Sequence, residues 1–118
     1  MIRYTLAIVL FLSLVLPAAA AAQAAPECPM TPTIGALSEC VQRAADMGHI
    51  TNRAVARGLL AELKAAQTAL DRGQPRVAIL LLRAFVREVK ALSGRFIEPV
   101  HAAHMVEHAQ LVIQALRR

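Results

Sequence analysis

Glycine and proline divide this chain into four lengths, each suited to one helix. Gly48 closes the first, Gly73 and Pro75 part the second from the third, and Ser93-Gly94 with Pro99 part the third from the fourth. Glycine is favoured just past a helix C-terminus because it takes positive φ without strain. Proline is favoured in the first turn, where a missing N–H costs nothing. Between these marks apolar residues recur every three or four positions, the period of an α-helix, and no segment alternates with the period of a strand.

The spacing predicts a first helix over Thr33 to Met47, with Thr33 as N-cap and Ile34, Leu37, Val41 and Ala44 on one face. A second is predicted over Asn52 to Arg72, capped by Thr51 or Asn52, with Val55, Leu59, Leu63, Ala66 and Leu70 as its stripe. Gly58 inside it costs about 1 kcal/mol against alanine and is read as the mark of a close helix–helix contact. A third runs from Pro75 to Leu92, with Val77, Leu81, Phe85, Val89 and Leu92 as the buried stripe and Leu80 and Leu82 widening it to a central helix. A fourth runs from Pro99 to Leu116, with Ala102, Met105, Val106, Ala109, Ile113 and Leu116 on roughly one face and Ile97 stapling its start. Joints of about three to six residues make consecutive helices antiparallel neighbours. The expected fold is all-α, a compact antiparallel bundle of about four helices over residues 33–118.

Ahead of the bundle, Arg3 precedes an uncharged apolar run of 11 residues, Leu6 to Leu16, broken only by Ser13 and ended by Pro17. Ala22-Gln23-Ala24 has the small-residue cleavage pattern. Residues 1–24 are therefore expected to be a cleaved secretory signal peptide. The run is shorter than the ~20 residues a membrane span needs, so no stable span is expected after cleavage. Residues 25–32 form a linker-like segment with three prolines. The expected localisation is secreted or periplasmic. Cys28 and Cys40, the only cysteines, are expected to pair in that compartment and tie the N-terminal segment to the first helix.

The third and fourth segments resemble a known family. LLRAFVREVKALSGR at Leu81–Arg95 resembles its double Leu, then A-F-I-x-E-V, then a Gly-ended stop. ALDRGQ at Ala69–Gln74 resembles its A-L-D-x-G turn, and Ile97 to Ile113 resembles its final helix, with Ala102, Met105, Val106 and Ala109 in the apolar slots. On these motifs the chain resembles the FIMAH domain, a small helical module found at the ends of many bacterial secreted proteins. The resemblance implies an extracytoplasmic module without catalytic activity and carries no catalytic residue across. Here the module is expected to stand alone behind its leader, and Cys28, Cys40 and the histidines lie outside the family pattern.

Three of the four histidines, His101, His104 and His108, crowd the stretch HAAHMVEH. On a helix of 3.6 residues per turn they fall within an arc of about 60°, flanking the apolar stripe. Three readings stand: solvated histidines, a loose site for Zn²⁺, Cu²⁺ or Ni²⁺, and a patch that charges as pH falls through ~6.5. His101 and His108 lie about 10 Å apart along a helix, too far to share one ion at ~2.1 Å bonds. At most two of the three bind together, His104 with His108 being the better pair. Glu98, one turn before His101, and His49, on the first joint, are the candidate outside ligands. The zinc-hydrolase pattern H-E-x-x-H is absent.

Other chemistry is thin. There is no Gly-rich phosphate loop, the acidic residues are scattered singly, and no nucleophile motif surrounds a serine or threonine, so no enzyme and no cofactor are expected. Without Arg3 the chain carries 12 basic and 8 acidic residues, a net +4, which favours anionic partners. Arg76, Arg83, Arg87 and Lys90 line one face of the third segment. Specific nucleic-acid binding is not expected, since Phe85 and Phe96 are the only aromatics beyond the leader and single-strand binders stack bases on aromatics. The expected role is a non-catalytic secreted or periplasmic interaction module whose partner is a protein or an anionic envelope polymer. The alternative is a small periplasmic zinc- or copper-binding protein using the His101–His108 window.

Overall fold

The computed structural model describes residues 28–118; the expected signal peptide and the start of the expected linker-like segment lie outside the described residues. Four helices follow in order: α1 (Ile34–Asp46), α2 (Arg53–Asp71), α3 (Pro75–Leu92) and α4 (Pro99–Leu116). α1 packs on α2, α2 on α3 and α3 on α4, and α1 closes the ring against α4. The fold is an all-α bundle, and among the described residues no helix is long and apolar enough to cross a membrane.

The punctuation acts as expected. Thr33 accepts a hydrogen bond from the Ala36 N–H at 3.1 Å, and Asn52 caps α2 by accepting from the Ala54 N–H at 2.8 Å. Pro75 and Pro99 open α3 and α4 without any side-chain cap. Gly48, Gly73 and Gly94 all take positive φ, 82°, 74° and 81°, a region costly for residues with a Cβ.

The core contains Leu37, Val41, Leu59, Leu63, Leu82, Phe85, Val89 and Val112, with Ile50 and Ile97 from the joints. The buried faces are rotated from those the large residues suggested. In α2 the buried line is Ala56, Leu59, Leu63, Ala66 and Ala69, and Val55 and Leu70 are only half-buried. In α3 it is Ala78, Leu82, Phe85, Val86 and Val89; Leu81 and Leu92 are half-buried, and Val77 and Leu80 are exposed. In α4 Val106 and Leu116 sit at the rim, and His101 and His108 join the buried face. The common cause is alanine: neighbouring axes approach more closely where side chains are small, so the contact lines pass over alanines and the longer side chains close over the edges.

Two joints are stitched together at one end of the bundle. The Glu98 N–H donates to the His49 carbonyl, and the Thr51 N–H donates to the Phe96 carbonyl, each at 2.9 Å. Ile50 and Ile97, paired as an antiparallel bridge between these bonds, are 5% and 1% exposed. At the N-terminus the expected disulfide is present: Cys28 and Cys40 are joined with their Cα atoms 5.6 Å apart.

Gly58 corrects its sequence reading. It is exposed, and a Cβ placed there meets nothing within 4 Å, so it marks no close contact. Gly58→Ala is expected to stabilise the fold by about 1 kcal/mol, a rise of roughly 4–8 °C in Tm. Gly48→Ala, forced into positive φ, is expected to cost about 1–2 kcal/mol. Thermal melts of the two variants check both signs.

Candidate functional site

The joint-to-joint bridge sets the backbone register of a three-residue cluster. His49 precedes Ile50 on the first joint, Glu98 follows Ile97 on the third, and His101 lies in the first turn of α4. Glu98 occupies the N-cap position of α4 but makes no cap hydrogen bond. Its carboxylate turns to the histidines: His49 Nδ1–H donates to Oε2 at 2.8 Å, and His101 Nδ1 lies 3.5 Å from Oε1. The two imidazoles stack, with centroids 3.7 Å apart and planes 14° from parallel.

His101 is 6% exposed. Its Nδ1 is buried without a hydrogen-bond partner. Burial is the largest influence holding its pKa below the ordinary histidine value, and His49 and His104 push the same way against the raising effect of Glu98. The imidazole is therefore kept neutral, the form that offers a lone pair.

The structure separates the three histidines of the window. His101 joins His49 and Glu98. His108, 1% exposed, bonds through Nε2 to the Thr31 carbonyl and so pins the N-terminal segment to α4. His104 is half-buried at the edge. Among the described residues His49, Glu98 and His101 form the group with metal-site spacing, and neither His104 nor His108 belongs to it. The Nε2 of His108, expected to pair with His104, is turned to the Thr31 carbonyl. The solvated reading fails for His101 and His108, which lie on the buried face of α4 with Ala102, Met105 and Ala109.

A second cluster was not foreseen, since the acidic residues looked isolated. Glu62 of α2 and Glu88 of α3 meet across the helix pair. Burial, then the hydrogen bond and the charge of Glu88, push the Glu62 pKa up to about 7, and Glu62 Oε2 is buried without a partner. The available signal was position, because Glu62 and Glu88 each adjoin a fully buried residue, Leu63 and Val89.

Arg76, Arg83, Arg87 and Lys90 are all exposed on α3. Arg83 and Arg87 form one wall of an open groove between α3 and α4, with Val86, Gln110, Ile113, Gln114 and Arg117 around them. Lys90 lines a neighbouring groove on the same seam, with Ala102, Val106 and Glu107.

These features define a small disulfide-tied all-α module with open surface grooves and one polar cluster at a bundle end. The chain belongs to the FIMAH domain family, whose sequence model matches residues 34–114. No curated protein and no solved structure matches it.

The carboxyl pair yields a pH prediction. Because the folded pKa of Glu62 lies above its ordinary value of 4.5, the folded chain holds a proton there that the unfolded chain has released. Stability from this group is present below pH 4.5 and is lost as pH rises through about 7. Glu62→Gln is expected to be more stable than the parent at pH 8, by about 1 kcal/mol after allowance for solvent screening. The gap should close by pH 4, and urea titrations at the two pH values check it.

Proposed function

We propose that this chain is a non-catalytic extracytoplasmic module that binds an anionic partner, a protein surface or an envelope polymer, along the groove between α3 and α4. The observation that carries the reading is charge segregation. Arg83, Arg87 and Arg117 converge on one groove whose lining includes no carboxylate, and Arg76 and Lys90 extend the row along the exposed face of α3. Among the described residues no carboxylate pairs with these side chains. Cationic side chains on apolar walls, here Val86 and Ile113, suit a ligand that is anionic and partly apolar.

Two features support an extracytoplasmic compartment. The leader pattern over residues 1–24 directs export, and a disulfide persists in an oxidising environment. Membership of the FIMAH family supports the non-catalytic part of the reading.

The test is binding to a model polyanion, fluorescent poly-glutamate, followed by anisotropy across a salt series. Affinity is expected to fall steadily as salt rises, since contacts between exposed charges are screened. Arg83→Glu with Arg87→Glu should weaken low-salt binding by about tenfold or more. Binding indifferent to salt and to the double charge reversal would contradict the reading.

A further inference from the structure

The cluster at the bridged end is more than an ion pair. We propose that His49, Glu98 and His101 form a binding site for a divalent first-row transition ion, zinc being the ion whose coordination the donor set suits best.

Three observations carry this. The first is the donor set. Two imidazole nitrogens and a carboxylate oxygen all lie within 4.8 Å of one another. A tetrahedral zinc site with bonds of ~2.1 Å places its ligand atoms about 3.4 Å apart, so the widest pair needs to close by little more than an ångström. Two histidines, one glutamate and a fourth position left to water is an established zinc ligand set.

The second is the placement. The ligands come from two joints distant in sequence and from the first turn of α4, and the backbone bonds between Glu98 and His49 and between Thr51 and Phe96 hold those joints together without any ion. A site whose backbone is already fixed loses less entropy on binding. The side chains grade from Glu98 at the mouth, 48% exposed, through His49 at 26%, to His101 on the floor at 7%. An ion can therefore enter from solvent and reach a buried nitrogen.

The third is the unspent nitrogen. His101 Nδ1 is buried without a hydrogen-bond partner, and its contact with Glu98 is 3.5 Å long. A buried polar atom left unpaired costs stability; an ion between the three groups would satisfy it. On binding, the single ring proton that His49 Nδ1 donates to Glu98 moves through solvent to Nε2 of the same ring, so that Nδ1 offers its lone pair to the ion and both imidazoles bind as neutral rings protonated on Nε2.

The experiment is a calorimetric titration of the oxidised, untagged chain with Zn²⁺ alone at pH 7.5, paired with ¹⁵N chemical shifts of the histidine rings. One equivalent is expected to bind, with Nδ1 of His49 and His101 taking metal-bound shifts. His49→Ala and Glu98→Gln, both at the exposed side of the cluster, should each weaken binding by about tenfold or more, while His104→Ala should leave it unchanged. The proposal is overturned if zinc does not bind at millimolar concentration, if binding survives both His49→Ala and Glu98→Gln, or if His104→Ala abolishes it.

Discussion

The bundle depends on the pairing of its two joints at one end. Leu59 and Leu63 of α2 and Leu82, Phe85 and Val89 of α3 lock the helices side by side, and the joints fix how their ends meet. The Ile50–Ile97 bridge makes that connection. It puts one buried isoleucine from each joint into the core and adds directional hydrogen bonds on either side, from Thr51 to Phe96 and from Glu98 to His49. A misregister would break both bonds and draw Ile50 and Ile97 out of the core. The bridge thus does for the joints what the Cys28–Cys40 link and the His108–Thr31 bond do for the N-terminal segment.

The polar cluster of His49, Glu98 and His101 forms where this constraint acts. Glu98 stands at the start of a helix whose first turn is opened by Pro99, and it is not spent on capping. Its carboxylate therefore remains available to the two imidazoles that the bridge brings to it. The arginine face lies elsewhere, along the seam of α3 and α4, so the proposed anion groove and the proposed ion site draw on different residues.

Much of this was legible in the sequence for a simple reason: helix boundaries here are written by residues with local consequences. Thr33, Asn52, Pro75, Pro99 and the positive-φ glycines act within a few positions of themselves. The faces were less legible. A reading that follows large side chains places Val77 and Leu80 inside, whereas the helices meet along Ala56, Ala66, Ala69 and Ala78 and leave those two at the surface. The same bias set the histidines of α4 outside. The site was half legible: Glu98 and His49 were recognisable as outside ligands and Glu98 lies one turn from His101, but that His49 joins this pair depends on the pairing of the joints, which nothing local encodes. The Glu62–Glu88 contact depends in the same way on the register of α2 against α3.

The pairing of the joints is tested most directly by native-state hydrogen exchange at the amides of Thr51 and Glu98. Both lie in non-helical segments, and Glu98 is itself exposed at its side chain. The account predicts protection comparable to that of core helical amides such as Leu63 and Phe85, because these bonds open only with the bundle. Exchange at the rate of unprotected loop amides would show that the joints are not held together, and the cluster of His49, Glu98 and His101 would lose its scaffold.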